Sequence, residues 1–367
     1  MNINPNSKIS GLFCPRCNER YPIDDYFKGC PKCFKNKHPS SLTLMYEDDS
    51  SSYLPYHFSS ISLLGEGKTP ISKSEKVSKA VNIDELYFKH EFQNPSGSHK
   101  DRMSKYAIAR AKQRDYSLVV GASSGNAAVS IALYANYYDI ECRIYSTHSM
   151  SSSFRNALEK LGTELILTPT EMDRWVRMSE DTEAGAFPIT NYVDPPVGSN
   201  PFGVQGYKEI SYEIQSQIPE TPDYVLVPTS RGDLLFGVFE GFNDLYSKNV
   251  ISKIPKMIAI EPIDRLTKVL EGEDYRKKFS GEYQETLSIG GHTVTYQSIY
   301  ALQKSNGFAI TISPKIATKD IRRFGEAGYY LESSSAIVYQ ALEILSKQHD
   351  VSKKTVVAIL TSHGFST

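Results

Sequence analysis

Residues 117–135, with the sequence SLVVGASSGNAAVSIALYA, decide the fold class of this chain. The apolar, β-branched run at the start predicts a short buried strand, and the alanine-rich run that follows Asn126 predicts a helix. The segment between them, 122–126, consists of small and polar residues that are typical of a turn. A strand, a turn and a helix in this order form the repeating unit of a parallel sheet covered by helices.

The same alternation continues on both sides of this stretch and predicts an α/β fold. Further apolar runs predict strands at 85–90, 141–146, 164–169, 223–229, 256–262, 308–313 and 355–362. Amphipathic segments predict helices at 101–114, 126–137, 151–161, 205–217, 233–247, 315–327 and 334–347. Residues 46–60 are rich in serine and acidic side chains and predict an exposed connector, whereas 168–202 is either a wall of a substrate entrance or a simple crossover.

Composition favours a small-molecule partner. The chain has 367 residues, 40% of them hydrophobic, and its 41 basic and 42 acidic residues leave a net charge of -1. Such a balance lacks the basic surface by which proteins bind nucleic acid or anionic lipid. No apolar stretch approaches the roughly 18 to 20 residues that span a bilayer, and MNINPNSKIS at the start lacks the apolar core of a signal peptide. We therefore expect a cytoplasmic protein that binds neither nucleic acid nor membranes.

Four of the five cysteines predict a metal module at 1–45. Cys14, Cys17, Cys30 and Cys33 form two C-x-x-C pairs that are separated by twelve residues. Four thiolates complete the tetrahedral shell of a structural zinc ion. The alternatives are an iron–sulfur site, a redox pair or a zinc ribbon that binds nucleic acid, and the acidic residues among the basic ones disfavour the last. The fifth cysteine, Cys142, alternates with apolar neighbours and is expected to be a buried, inert thiol.

Polar turns follow three of the predicted strands, at 123–126, 229–233 and 361–364. The first two precede helices, whose unpaired N–H groups attract carboxylates and phosphates. The alternative interpretation of each is an ordinary capped helix. Because the carboxyl ends of parallel strands lie at one edge of a sheet, ligands in α/β folds bind there. These turns are therefore the candidate binding loops.

A single lysine stands in a turn-rich segment just before a predicted helix. The segment is NPSGSHKDR at 94–102, and its lysine is Lys100. A lysine that is desolvated in a cleft loses its proton near neutral pH and can form a Schiff base with an aldehyde. The alternative is a surface lysine in a loop, the usual place for this residue type.

Six motifs occur in an order that resembles threonine synthase and its relatives, pyridoxal-phosphate enzymes of fold type II. They are GEGKTP (65–70), NPSGSHKDR (94–102), ASSGNAA (122–128), NPFGVQGYKEISYEI (200–214), VPTSRGD (227–233) and TSHG (361–364). The resemblance implies two three-layer α/β domains after the cysteine module, which is similar to one in some threonine synthase-like and cysteate synthase-like chains. It places the large domain at 46–116 and 201–367 and the small one at 117–200. It also implies pyridoxal 5′-phosphate in the cleft between them, and a homodimer.

The resemblance also implies roles for individual residues. Lys100 matches the lysine that forms the Schiff base, Asn126 matches the asparagine at the cofactor's 3′-oxygen, and Thr361 matches the hydroxyl at the pyridine nitrogen. The loop that grips the substrate's α-carboxylate corresponds to Ser123, Ser124 and Gly125. The loop that holds the cofactor phosphate corresponds to Thr229, Ser230, Arg231, Gly232 and Asp233.

Three departures from the family pattern bear on the substrate. Gly232 is the only glycine of the loop 229–233, so the Arg231 guanidinium is expected to help hold the phosphate. His99 stands where threonine synthases commonly have phenylalanine, and Ser362 replaces a glycine. We take His99 as a candidate substrate contact, and Arg155, in the helix 151–161, as a candidate for binding a phosphorylated side chain.

The function that this resemblance implies is that of a lyase or synthase acting on a β- or γ-substituted L-amino acid. In the leading version, O-phosphohomoserine is converted to threonine and phosphate. The alternative within the same class is β-replacement on O-phosphoserine or a similar substrate, as in cysteate synthase-like and cysteine synthase-like chains. An alternative of another class is a catalytically silent relative that uses the zinc module for interactions.

Overall fold

The structure is a computed structural model that describes residues 3–50, 52–59 and 63–366. The strands are β1 (Ile3–Pro5), β2 (Ile9–Phe13), β3 (Arg20–Tyr21), β4 (Thr43–Tyr46), β5 (Tyr56–Phe58), β6 (Ile71–Lys73), β7 (Glu85–Lys89), β8 (Leu118–Ala122), β9 (Glu141–Thr147), β10 (Glu164–Thr168), β11 (Phe187–Pro188), β12 (Tyr224–Pro228), β13 (Lys256–Glu261), β14 (Phe308–Thr311) and β15 (Thr355–Ile359).

The helices alternate with these strands over most of the chain. They are α1 (Pro31–Lys35), α2 (Glu75–Val81), α3 (Lys100–Gln113), α4 (Asn126–Tyr137), α5 (Ser152–Lys160), α6 (Glu171–Glu183), α7 (Pro201–Val204), α8 (Lys208–Gln217), α9 (Asp233–Ser247), α10 (Leu266–Leu270), α11 (Tyr296–Lys304), α12 (Ala317–Glu326), α13 (Ser333–Ala336) and α14 (Val338–Gln348). Within the described ranges, no helix is both long enough and apolar enough to cross a membrane.

The larger sheet has six strands in the order β14-β13-β12-β15-β7-β6. Every neighbouring pair is parallel except β6 with β7. Side chains of β12 alternate between two cores: Val225 packs in the cluster that includes Phe236 of α9, and Leu226 packs in the cluster that includes Leu342 of α14. Burial on both faces explains why the strand sequence YVLVP is apolar throughout rather than alternating with polar residues.

The smaller sheet has four parallel strands in the order β10-β9-β8-β11. On one face Val119 packs with Ile131 of α4, and on the other Val120 packs with Trp175 and Met178 of α6. The mixture of helices and parallel sheets confirms the predicted α/β fold.

The N-terminal cysteine segment carries a third, antiparallel sheet in the order β3-β2-β4. The segment contacts the smaller sheet and the loop that follows α10: Phe27 makes an edge contact with Phe187 of β11 at 5.3 Å between ring centroids, and the Tyr275 hydroxyl donates to the Pro39 carbonyl at 3.1 Å. The expected exposed connector at 46–60 is wrong around Tyr56. That residue is 2% exposed in β5, which pairs with β1, because its ring packs on Phe202.

Each predicted strand is present, but the helix predictions missed several elements. The tract 168–202 contains α6, whose start is fixed by a capping box between Thr170 and Asp173. Helices α2 and α11 were also not predicted. The predicted helix 334–347 is divided at Ile337 into α13 and α14. The capping pattern T-x-x-D was visible in the sequence, but the surrounding prolines and glycines obscured it.

Candidate active site

Four loops at the carboxyl ends of parallel strands carry the predicted site residues. They follow β7 (90–100), β8 (123–126), β12 (229–233) and β15 (360–364). Strands β12, β15 and β7 are adjacent in the larger sheet, so three of the loops lie side by side. The fourth loop ends the central strand β8 of the smaller sheet.

Backbone contacts join the lysine loop to the loop after β15. Ser98 and Ser362 form an isolated antiparallel bridge, and the His99 amide donates to the Thr361 carbonyl at 2.9 Å. Thr361 is 3% exposed, and its amide donates to the Ser335 hydroxyl at 2.9 Å. The structure therefore brings Lys100 and Thr361 to the same place, although 261 positions separate them in the sequence.

Lys100 begins α3 and is partly buried. Among the described residues, its amine makes no ion pair. Burial lowers the pKa of Lys100 below its ordinary value, and the positive charge of Arg231 acts in the same direction against the carboxylates of Asp233 and Glu332. A lysine in this environment has a larger fraction of the unprotonated, nucleophilic amine than a surface lysine has.

Buried charges fix the first turn of α3. The Arg102 guanidinium is fully buried and pairs with Glu91 at 2.8 Å and with Glu213 at 2.5 Å. Asp101 does not pair with Arg102 but accepts from the Ser96 amide at 2.7 Å. Because both side chains are held by partners outside α3, the position of the lysine between them and the turn 94–99 is restricted.

His99, which precedes Lys100 in the chain, packs against Tyr207 and the loop after β15. Its ring stacks obliquely on Tyr207 with centroids 5.7 Å apart, and its Nδ1 donates to the Thr361 carbonyl at 3.2 Å. Burial and the charge of Lys100 hold the pKa of His99 well below its ordinary value. The imidazole is therefore neutral at pH 7, with one nitrogen committed to the backbone.

A polar contact connects the two sheets across the cleft. The Asn126 amide at the start of α4 donates to the Glu332 carboxylate at 2.6 Å, and the Ser288 hydroxyl donates to the same carboxylate. The carbonyl oxygen of Asn126 is buried and has no hydrogen-bond partner among the described residues. Sequence reasoning missed Glu332, whose signal in the sequence is a lone glutamate just before three consecutive serines at 333–335.

Two helices begin at the cleft without a side-chain cap. One is α4, preceded by Gly125, and the other is α9, preceded by Gly232. Gly232 has φ +89°, and a Cβ there would overlap Ser298, so only glycine fits this turn. The Asp233 side chain accepts from the Ser199 amide at 3.1 Å and from the Gln297 amide. These contacts fix the end of the loop 229–233 to residues outside it. Because the N–H groups of a first helical turn have no i−4 carbonyl within the helix, both helix starts suit an anion.

The remaining hydroxyls of the loop after β12 are directed at the backbone. Thr229 donates to the Val227 carbonyl at 2.7 Å, and Ser230 donates to the Gly290 carbonyl at 2.9 Å. In this conformation the loop can offer its N–H groups and the Arg231 guanidinium to a phosphate, rather than these two hydroxyls.

The predicted Arg155 is not joined to the other site residues by any hydrogen bond or ion pair among the described residues. Its guanidinium donates to the His148 carbonyl. The neighbouring residue Phe154, rather than Arg155, lies over the loop 123–126: a Cβ on Gly125 would be 3.2 Å from the Phe154 ring. An arginine that was not predicted, Arg174 of α6, donates to the Ser124 hydroxyl at 2.8 Å.

The four N-terminal cysteines lie together as predicted. Their sulfurs are all within 4.8 Å of one another; Cys14 and Cys33 are 3.7 Å apart, and Cys17 and Cys30 are 3.6 Å apart. Zn–S bonds of about 2.3 Å in a tetrahedron put sulfurs about 3.8 Å apart. The spacing is thus compatible with a tetrahedral metal ion.

The cleft residues fit pyridoxal phosphate. Lys100 supplies an amine of lowered pKa for the aldehyde, and the unpaired oxygen of Asn126 can accept from a ring hydroxyl. The uncapped start of α9 suits the phosphate.

The fold and this site define a pyridoxal-phosphate enzyme of fold type II. The chain belongs to the family described as "Pyridoxal-phosphate dependent enzyme", whose model matches residues 62–362. Threonine synthase from Methanocaldococcus jannaschii is 26% identical over 96% of this chain and 91% of its own length, and that from Methanosarcina acetivorans is 24% identical over the same shares.

Solved structures of other enzymes share the fold. The processed form of threonine deaminase isoform 2 from Solanum lycopersicum superposes with a TM-score of 0.68 at 21% identity, covering 80% of this chain and 79% of its own. Maize serine racemase also gives 0.68 at 21% identity, covering 81% and 88%. At this identity the likeness concerns the fold and not the reaction.

Proposed function

We propose that this chain catalyses the threonine synthase reaction, in which O-phosphohomoserine and water give threonine and phosphate. The observation that carries the proposal is the extent of the similarity to the two curated threonine synthases. A match over 96% of the chain includes most of the cysteine module, which lies outside the family match at 62–362. The similarity to these two enzymes therefore extends over most of the module as well as most of the family match.

In this proposal each loop has a separate task. When bound, pyridoxal phosphate withdraws electrons from Cα of the amino acid that it holds. Lys100, with its lowered pKa, removes and returns protons at that carbon. The N–H groups at the start of α4 bind the α-carboxylate together with Ser123. Thr361 lies at the ring nitrogen and Asn126 at the phenolic oxygen, while the loop 229–233 binds the cofactor phosphate.

We also propose that the two sheets belong to two domains, with 117–200 as the small one and 46–116 with 201–367 as the large one. Closure of the small domain over the amino acid would exclude water from the cleft. The contact between Asn126 and Glu332 joins these domains, so it would have to adjust when a ligand enters.

Phosphate-release assays with purified holoenzyme test the proposal. We expect phosphate and threonine from O-phosphohomoserine, a visible absorbance band from the lysine-bound cofactor, and loss of both in Lys100→Ala. An absent band in the wild type, even after cofactor is added, would refute the enzyme and support a silent relative. Release of phosphate from O-phosphoserine alone would replace threonine synthesis with β-replacement.

His99 supports β-replacement on O-phosphoserine as a second candidate. Threonine synthases commonly carry phenylalanine at this position. Here a neutral imidazole packs on the Tyr207 ring and donates to the Thr361 carbonyl, so the surroundings of Lys100 are more polar than a phenylalanine would make them. The assay above compares the two substrates directly, and His99→Phe should raise the preference for O-phosphohomoserine if this residue sets the choice.

We further propose that Cys14, Cys17, Cys30 and Cys33 bind one structural zinc ion. The distances between the sulfurs and the burial of three of the four cysteines support a closed site without an open position for water. Its role would be to fold the module rather than to take part in the reaction.

A further inference from the structure

Two arginines from distant parts of the chain, Arg174 of α6 and Arg231 of the loop after β12, lie near the loop 123–126. Arg174 of α6 is 8% exposed, and its Nη1 donates to Ser124 at 2.8 Å. The other residue is Arg231, whose guanidinium lies over the Trp175 ring at 5.4 Å from its centroid. Since Trp175 follows Arg174 on α6, the two guanidinium groups are held near one helix, and this helix covers the loop 123–125.

Within the part of the chain that the structure describes, these two cations lack buried anionic partners. The only ion pair of Arg174 is with Glu171, at 3.5 Å, and the side chain of that residue is 53% exposed. Arg231 makes no ion pair within the described ranges. The nearby carboxylates of Asp233 and Glu332 are committed to neutral donors, Ser199 and Gln297 for the first and Asn126 and Ser288 for the second.

The electrostatics agree with this geometry. Burial lowers the pKa of Arg174, and the charge of Arg231 adds to this effect against the opposing charge of Glu171. Keeping two like charges at partly buried positions is costly unless an anion binds between them. Arginine binds phosphate through paired N–H groups, and the Ser124 hydroxyl adds a further donor.

We propose that Arg174 and Arg231 bind the phosphate ester of the amino-acid substrate, with Ser124 between Arg174 and the substrate, while the N–H groups of the loop 229–233 hold the cofactor phosphate. This inference rests on the proposed function and specifies it. The pocket selects a dianionic leaving group over a neutral one, and it uses Arg174 in place of the sequence candidate Arg155. The α-carboxylate remains at the N–H groups of 123–126.

Trp175 is the only tryptophan of the chain, so its fluorescence reports on this pocket. Holoenzyme is titrated with inorganic phosphate, which requires no turnover. A phosphate that draws Arg231 from the ring face should change the Trp175 emission. We expect the apparent Kd for phosphate to rise at least tenfold in Arg174→Gln and in Arg231→Gln. Arg174→Lys should recover part of the affinity, because it restores the charge.

The matched control is Arg177→Gln, which removes a 63% exposed arginine one turn later on α6. It should leave the phosphate titration and the melting temperature unchanged. In steady-state assays, Arg174→Gln should raise KM for the phosphorylated amino acid at least tenfold, and it should alter KM for the corresponding unphosphorylated amino acid less than threefold.

Other outcomes would overturn the inference. Equal losses with both amino acids would assign Arg174 to the α-carboxylate or to the loop structure. Loss of cofactor retention in Arg231→Gln, with unchanged discrimination, would assign Arg231 to the cofactor phosphate alone. The fluorescence titration does not depend on turnover. Phosphate binding without product from either substrate would therefore refute the proposed reaction but would still support a phosphate site at Arg174 and Arg231.

Discussion

Gly232 shows how one backbone conformation determines the loop to which the proposed function assigns the cofactor phosphate. Its φ of +89° is unfavourable for other residues, and a Cβ would overlap both the side chain and the backbone of Ser298. Gly232→Ala should therefore lose stability from two sources: about 1–2 kcal/mol from the backbone and about 1–3 kcal/mol from the overlap. It should also raise the dissociation constant for pyridoxal phosphate, because α9 can no longer start at the same place.

Gly328→Ala provides the control for this prediction. Gly328 has φ +90°, but nothing lies within 4 Å of its would-be Cβ. The difference between the two melting temperatures isolates the overlap with Ser298. Equal losses in the two variants, with normal cofactor affinity in both, would show that the loop tolerates a wider path than the structure indicates.

At the level of elements, α9 joins the cleft to the cysteine module through a buried carboxyl group. Glu240 is 8% exposed and accepts from the Thr43 hydroxyl of β4 at 3.0 Å. Burial raises the pKa of Glu240 to about 7, with Asp244 adding to the rise and Lys208 opposing it. The protonated form therefore stabilises the fold fully below about pH 4.5, and this contribution is lost as the pH rises through 7.

Glu240→Gln should remove this dependence, because the amide keeps an acceptor for Thr43 and carries no charge. We expect the melting temperature of the variant to exceed that of the wild type progressively from pH 5 to pH 8.5. The difference in unfolding free energy should reach at most about 3 kcal/mol. The exposed Glu159→Gln should show no such trend, and a constant offset between variant and wild type across this range would contradict the argument.

The elements also show what sequence could predict. The strands β8, β12 and β15 are short apolar runs followed by polar turns, so their local pattern predicted both the strands and the positions of the polar loops that follow them. Burial of an arginine, by contrast, depends on packing between distant segments. Arg174 was missed because its helix lies in a tract with prolines and glycines, and because its partner Ser124 belongs to another loop. Glu332 was missed because Asn126 meets it only in the folded chain.

Across the whole molecule, the cysteine module contacts both the smaller sheet and the loop that follows α10. Its contacts with Phe187 on one side and Tyr275 on the other predict that metal binding stabilises both of them. Metal analysis should find one zinc per chain, and a chelator should lower the melting temperature of the entire protein. Cys14→Ser should reproduce this loss.

Cys142→Ala is the control for the metal prediction. The Cys142 thiol is buried in β9, and burial raises its pKa to about 12, which keeps it protonated. The variant should retain one zinc per chain. Well under one zinc in the wild type, or a melting temperature that a chelator does not change, would contradict the structural role.

The pairing of β7 with β15 has a consequence for how the protein is made. Glu85 pairs with Thr355, and the turn before Lys100 is bridged to Ser362. A nascent chain that has emerged only as far as α12 already contains Lys100, but the central strand β15 of its larger sheet is still missing. Until residues 355–362 leave the ribosome, the edges of β7 and β12 have no partner between them and are open to misassociation. Synthesis of β15 is thus the step that completes the larger sheet. Before that step, the turn that holds Lys100 lacks its backbone partners at Thr361 and Ser362.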